Sequence, residues 1–265
     1  MTQFYPQDPL VSGDFNGWWR RSVWLIRAGW RPMALVQVVV TVPIAAIVIP
    51  AFSRFEKEQA EAHRIMETTD LTPGLIFAGW TSLVPVIVIG SLLYLLGQLA
   101  VAQLVISLAT GRGTALGPAV ATAARRTPAL LGWFLLAVPV LLISLALCFF
   151  PAIYVGAVIT ILPVVVLVER RRGIGRCFQL FNADLGLSIA RIATIIGLTF
   201  AASLALTLVT TLVDVVAPNL IGTSLKVLLE TSYYIVSGVV VTTMVVTAYA
   251  DMRSRHERFS SADLI

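Results

Sequence analysis

Long apolar runs recur through the chain and constrain its fold more than any other feature. They cover residues 32–52, 76–108, 128–149, 152–168, 187–216 and 225–250. A helix of about 20 residues crosses the hydrocarbon core of a bilayer, so these runs predict six transmembrane helices. Because 58% of the residues are hydrophobic and only 12% are charged, the apolar surface exceeds what a soluble core could bury.

We therefore predict an all-α, polytopic transmembrane helical bundle made of one membrane domain. The predicted divisions are a cytoplasmic N-terminus with an amphipathic interfacial helix over residues 1–31, a six-span domain over residues 32–250 and a cytoplasmic tail over residues 251–265. The third and fourth runs are separated least clearly, and a tight turn is predicted from Cys148 to Pro151. Proline at this point is expected to break the helix.

The distribution of basic residues predicts the orientation of the bundle. If both termini are cytoplasmic, the inner segments hold 15 of the 19 basic residues, and only Arg54, Lys57, Arg64 and Lys226 lie outside. This asymmetry follows the positive-inside rule. Seventeen of the basic residues are arginine, a bias typical of GC-rich bacterial genomes, and we predict a multi-pass protein of the bacterial plasma membrane. The basic residues occur in short bursts without an aromatic-interleaved surface, which argues against nucleic-acid binding.

Amphipathic segments precede the spans on the predicted cytoplasmic side. In residues 14–31 one stripe has helical spacing and consists of Phe15, Trp19, Val23, Ile26 and Trp30, with arginines on the opposite side. Residues 169–186 place Ile174, Phe178, Phe181 and Leu185 on one face and Arg176 and Gln179 on the other. Such helices lie at the membrane interface. The candidate contacts to anionic lipid headgroups are Arg20, Arg21, Arg27, Arg170, Arg171, Arg172 and Arg176.

A weaker amphipathic segment covers residues 113–126, so each of three segments leads into an outward span and a returning one. The chain could thus consist of three repeats of an elbow helix and a hairpin. The alternative is that any multi-span protein needs basic amphipathic connections on its inner side. The sequence leaves both interpretations open.

The six-span layout, the stretch RGIGRCFQLF after a basic run and the N-terminal GWWRRSVWLIRAGW resemble a bacterial membrane-domain family. Members of this family are also found fused to glycerophosphoryl diester phosphodiesterases. The resemblance implies a helical membrane domain without an assigned activity. It transfers no catalytic residue, because the chain carries no phosphodiesterase domain.

Polar residues inside the predicted membrane are densest on the last hairpin, where they follow one another at helical steps. They form a candidate polar seam of Thr207, Thr211, Asp214, Lys226, Glu230 and Tyr234. In an antiparallel hairpin Asp214 should lie near Lys226, with Thr207 and Thr211 deeper, near Tyr234. The seam could be a binding vestibule or an ion path. It could also be a set of interhelical hydrogen bonds closed by charges that snorkel to the interface, which we favour.

The sequence contains no GxSxG elbow, HExxH, P-loop or dinucleotide loop, and its two cysteines and two histidines lack metal-ligand spacing. We therefore predict no enzyme activity and no cofactor. Glu169 and Asp184 lie among arginines, where ion pairing is the expected role. The predicted function is a non-catalytic scaffold, regulatory or resistance module that contacts anionic lipids and another membrane protein. The alternative is a permease or ABC-exporter-type subunit with an ATPase partner, and an intramembrane lipid-modifying enzyme ranks last.

Overall fold

The computed structural model of the protein describes residues 8–66, 79–169, 172–217 and 220–264. These residues form helices and connections without a β-strand. The helices are α1 (Phe15–Met66), α2 (Trp80–Ala109), α3 (Leu116–Leu147), α4 (Phe149–Ile159), α5 (Leu162–Val168), α6 (Ile174–Asn182), α7 (Leu185–Val216) and α8 (Leu220–His256). A 3-10 turn, Ser261–Leu264, follows α8.

The prediction of an all-α bundle with six membrane spans is confirmed. The six apolar spans are α1, α2, α3, the pair α4 and α5, α7 and α8. Several helices are longer than a bilayer requires, above all α1, whose 52 residues extend for about 78 Å. The charged segment 53–66, which the sequence analysis placed in an outer loop, continues α1 as helix.

The fourth span begins at Cys148 and is broken once more along its length. Cys148 is extended, with φ −176° and ψ 157°, and separates α3 from α4. Pro151 lies inside the first turn of α4, where the missing N–H of proline leaves no helical hydrogen bond unmade. The expected boundary between the third and fourth spans is found at Cys148. The prediction that Pro151 breaks the helix is wrong, because Pro151 lies within α4. A second break separates α4 from α5 at Thr160 and Ile161.

The predicted N-terminal interfacial helix is the first part of α1 and is not a separate element. It packs against α8, where the hydroxyls of Ser22 and Thr247 bond at 2.8 Å and the Thr243 hydroxyl donates to Met33 Sδ at 3.9 Å. Pro32 lies inside α1 between these two contacts.

The segment preceding α3 is likewise continuous with its span, since α3 begins at Leu116. Of the three segments, the one at residues 169–186 forms a separate helix, α6. Asp184 separates α6 from α7 because it caps the start of α7, accepting a hydrogen bond from the N–H of Leu187 at 3.2 Å. Of the three expected elbow helices, the structure thus separates one from its span.

The core occupies the half of the bundle nearer the two termini, here called the inner half. Buried residues are concentrated between Leu95 and Ile106 of α2, and between Gly238 and Met252 of α8. The outer halves pack mainly as hairpins, α1 with α2, α3 with α4 and α7 with α8. Their remaining surface exposes large apolar side chains such as Leu208, which suits contact with lipid tails.

Close packing of α8 against α1 depends on Gly238. A Cβ atom at this position would lie 2.6 Å from the carboxamide of Gln37, which is itself buried. Gly197 of α7 has no heavy atom within 4 Å of its virtual Cβ. We predict that Gly238→Leu lowers the free energy of unfolding by about 1–3 kcal/mol because the core is overpacked, whereas Gly197→Leu leaves it nearly unchanged.

Thermal unfolding of both purified variants in mild detergent would measure this difference. Equal melting temperatures for the two variants would contradict the observed packing of α8 on α1.

Candidate functional site

The last turns of α8 carry two buried polar networks at the inner end of the bundle. The first, the Asp251 network, consists of Ser12, Arg21, Asp184, Arg191, Asp251 and Arg255. The second, the Glu169 network, consists of Glu169, Arg176, Tyr249, Arg253 and Glu257. Because Tyr249, Arg253 and Glu257 are spaced four residues apart, they lie on one face of the chain leaving the membrane.

Asp251 and Arg191 form an ion pair that is closed to solvent. Arg191 Nη2 lies 2.7 Å from Asp251 Oδ2, and both side chains are 0% exposed. The backbone N–H of Ser12 donates a hydrogen bond to the other carboxylate oxygen of Asp251. Arg21 adds a second positive charge near this carboxylate. The network therefore connects α7 and α8 with the segment that precedes α1.

Further contacts fasten the two ends of the chain to each other. Arg255 Nη1 donates to Asp184 Oδ2 at 2.8 Å, and its Nη2 donates to the carbonyl oxygen of Gly13 at 2.9 Å. On the other side, the N–H of Ser261 donates to Asp8 Oδ2 at 2.7 Å. The described start and end of the chain, at Asp8 and Ser261, thus lie together at the inner end.

In the Glu169 network, one buried guanidinium lies between two carboxylates. Arg176 Nε donates to Glu169 Oε2 at 2.7 Å, and its Nη2 donates to Glu257 Oε1 at 2.9 Å. Tyr249 Oη donates to Glu169 Oε1 at 2.8 Å, and Arg253 Nη1 donates to Tyr249 Oη at 3.1 Å. The end of α5, α6 and the end of α8 are held together by these bonds.

The ion pairs of this network favour the charged forms of Arg176 and Glu257. Burial alone would lower the pKa of Arg176, but its bonds to Glu169 and Glu257 raise the pKa above the ordinary value. Burial would raise the pKa of Glu257, and its bonds to Arg253 and Arg176 lower it instead. Burial raises the pKa of the neighbouring Cys177 thiol to about 12, with the Glu169 charge adding to the effect.

The expected ion pairing of Glu169 and Asp184 with arginines is confirmed, but the expected headgroup role of Arg176 is wrong. The side chain of Arg176 is only 6% exposed, because α6 turns it inward to Glu169. Leu185, placed on the apolar face of this segment, is exposed. Sequence analysis missed the Arg191–Asp251 pair. The sequence features that indicate this pair are a basic residue inside the fifth apolar run and an acidic residue directly after the sixth.

The other candidate headgroup arginines differ in their surroundings. Arg20, Arg27 and Arg172 are exposed and Arg21 is half-buried, whereas Arg170 and Arg171 lie outside the described residues. The buried stripe of this part of α1 is Trp18, Ser22, Leu25 and Gly29. Each of these residues directly precedes a residue of the predicted apolar stripe. Trp19, Trp24 and Trp30 are consequently exposed by 39%, 53% and 54%.

The candidate polar seam is only partly brought together. The predicted proximity of Asp214 and Lys226 is confirmed by an ion pair of 2.8 Å. Glu230 acts on Lys226 through its charge, but the ion-pair partner of Lys226 is Asp214.

The hydroxyls of the seam do not meet across the hairpin as predicted. Thr207 and Thr211 are exposed and donate to backbone carbonyls of α7 itself. Tyr234 is 59% exposed, and its neighbour Tyr233 makes the hydrogen bond to α7 instead, with the carbonyl oxygen of Thr199. The registers of α7 and α8 turn these side chains outward, and a helix interior satisfies threonine hydroxyls locally.

Comparison with protein-family models, curated proteins and solved structures finds no match for this chain.

The Arg191–Asp251 pair gives a test by double-mutant cycle. Removing one partner leaves a buried charge uncompensated, so we predict that Arg191→Met and Asp251→Asn each lower the free energy of unfolding by about 3–5 kcal/mol. The double variant should lose less than the sum, because neither charge remains. The exposed pair provides a control, and Lys226→Met should cost less than about 1 kcal/mol.

SDS titration of the purified protein in mixed micelles would measure the four variants. Additive losses at Arg191 and Asp251 would show that the two side chains do not interact.

The two cysteines should differ in reactivity. Cys148 is exposed and Cys177 is buried, and thiolate is the reactive form of cysteine. With a pKa of about 12, Cys177 is almost entirely a neutral thiol at pH 8. We predict that at pH 8 maleimide modifies the native wild-type protein once and the native Cys148→Ser variant not at all, as counted by mass spectrometry. After denaturation, Cys148→Ser should be modified once, and modification before denaturation would contradict the burial of α6.

Proposed function

We propose that this integral membrane protein is a non-catalytic scaffold, regulatory or resistance module of the bacterial plasma membrane, with both termini in the cytoplasm. The six apolar helices make it a membrane protein. The observation that carries the proposal is the state of its buried charges. Among the buried charged residues in the described part of the chain, Arg176, Arg191 and Asp251 each pair with other charged groups of the protein. The fourth, Asp8, bonds to the N–H of Ser261 and borders an open pocket.

Such charges stabilise one arrangement of helices. A catalytic carboxylate or cation needs an approach for substrate, and functional charges inside membranes usually face a cavity or a partner. Pairing within the protein instead favours a rigid unit that presents its surface to other molecules. The proposed partners are anionic lipids, contacted by exposed arginines, and another membrane protein.

The resemblance to the membrane domain found with glycerophosphoryl diester phosphodiesterases belongs to the same proposal. It fits a helical module that acts next to another protein and performs no chemistry of its own.

A permease or ABC-exporter-type subunit is the second candidate. It is favoured by a local irregularity between α4 and α5 at Thr160 and Ile161, inside the fourth span, where both residues keep right-handed helical backbone angles. Interrupted helices are a common feature of transporter binding sites.

Purification of the tagged protein from native membranes in mild detergent separates these candidates. The scaffold proposal predicts an integral membrane partner without an ATPase subunit. Stoichiometric recovery of an ATPase would overturn the proposal in favour of the exporter.

Orientation can be tested by cysteine labelling in a Cys148→Ser background. Ala60 lies near the outer end of α1 and Arg258 follows α8, and both are exposed. We predict that a membrane-impermeant maleimide labels Ala60→Cys on intact cells, and labels Arg258→Cys only after permeabilisation. Labelling of Arg258→Cys on intact cells would reverse the proposed orientation.

A further inference from the structure

An open pocket on the exposed side of α1 combines positive charge with aromatic surface. It has a volume of about 280 Å³ and is lined by Trp19, Arg20, Val23, Trp24 and Arg27. Positions 20, 24 and 27 follow at the spacing of one helix face. No carboxylate lines this pocket. Arg20 and Trp24 also border a neighbouring pocket, which contains Asp8 and Asp14 together with Arg21.

The two arginines of this pocket differ from those of the inner networks in their contacts. Arg176 and Arg191 are buried against carboxylates. Arg20 and Arg27 are exposed, and neither makes an ion pair with a described residue. Their guanidinium groups are therefore accessible to an anion from outside the protein, and guanidinium binds phosphate oxygens in a bidentate geometry.

The orientation of the pocket follows from the packing of α1. The opposite side of the helix, with Trp18, Ser22 and Leu25, is fully buried, and Ser22 bonds to Thr247 of α8 at 2.8 Å. The pocket consequently faces away from the bundle. Ser12 bonds to Asp251 and Ser22 bonds to Thr247, so the start of α1 lies beside the last turns of α8, where the apolar sequence gives way to charges.

We infer that the pocket of Trp19, Arg20, Val23, Trp24 and Arg27 binds the headgroup of an anionic phospholipid of the inner leaflet. The aromatic surface around the charges favours a lipid over a free phosphate. Exposed tryptophans are unfavourable in water but are enriched at the level of headgroups. Trp30, 54% exposed, extends this surface toward the membrane, and Arg31 stacks over its ring at 5.7 Å.

This inference rests on the proposed function for the leaflet, while the binding itself depends only on the pocket. Recognition by two guanidinium groups requires a negative headgroup, and a zwitterionic lipid offers a compensating ammonium. Each basic residue near an anionic surface contributes about fivefold in affinity. The site should therefore prefer phosphatidylglycerol to phosphatidylcholine.

Native mass spectrometry of the full-length protein tests this preference. The protein is incubated in mild detergent with equimolar phosphatidylglycerol and phosphatidylcholine, and the bound ratio is measured. We expect wild type to retain phosphatidylglycerol preferentially, and Arg20→Gln/Arg27→Gln to lose at least about fivefold of this preference. Arg20→Lys/Arg27→Lys keeps the charge and should retain most of it, which also controls for folding.

The matched control is Arg54→Gln/Arg64→Gln, which removes the same charge from exposed positions at the other end of α1. It should leave the lipid ratio unchanged. An equal loss in both double glutamine variants would overturn the inference, since binding would then follow net charge alone. Displacement of the lipid by inorganic phosphate would also overturn it, by identifying a free-anion site.

These results are independent of the labelling experiment. If Arg258→Cys were labelled on intact cells, the orientation in the proposed function would fail, but selective lipid binding in detergent would stand. If orientation holds and the lipid preference is absent, the pocket inference alone fails.

Discussion

The structure depends on an ion pair that has no access to water. An isolated charge in a medium of low dielectric constant costs several kcal/mol, so neither Arg191 nor Asp251 is tolerated without the other. Their pairing fixes α7 against α8 within the inner half of the bundle, and the Ser12 N–H bonded to the same carboxylate brings in the start of the chain. In the described part of the outer halves, the ion pair of Lys226 with Asp214 is partly exposed and joins the two helices of one hairpin.

Most of the fold was predictable because hydrophobic length is read directly from sequence. The six spans follow from the minimum helix length that crosses a bilayer, and the pairing of Asp214 with Lys226 follows from hairpin geometry. The exact breaks were less accessible. Whether Cys148 or Pro151 separates two helices depends on local backbone conformation, and proline is compatible with the first turn of a helix.

The polar sites show the limit of periodicity more clearly. Helical spacing predicts which residues share a face, but not which face meets a neighbour. Thr207 and Arg176 were both predicted on the correct helix but in the wrong surroundings. In the structure the threonine faces outward and the arginine is buried. The Asp251 network joins parts of the chain that are distant in sequence, and no local pattern indicates such contacts.

The fastening of both chain ends also bears on how the protein assembles. Ser12 reaches Asp251 across 239 positions of sequence, and Ser22 of α1 bonds to Thr247 of α8, the last of the described helices. During translation these contacts cannot form until α8 has been made. The bonds that hold the two ends of the bundle together are therefore among the last to form.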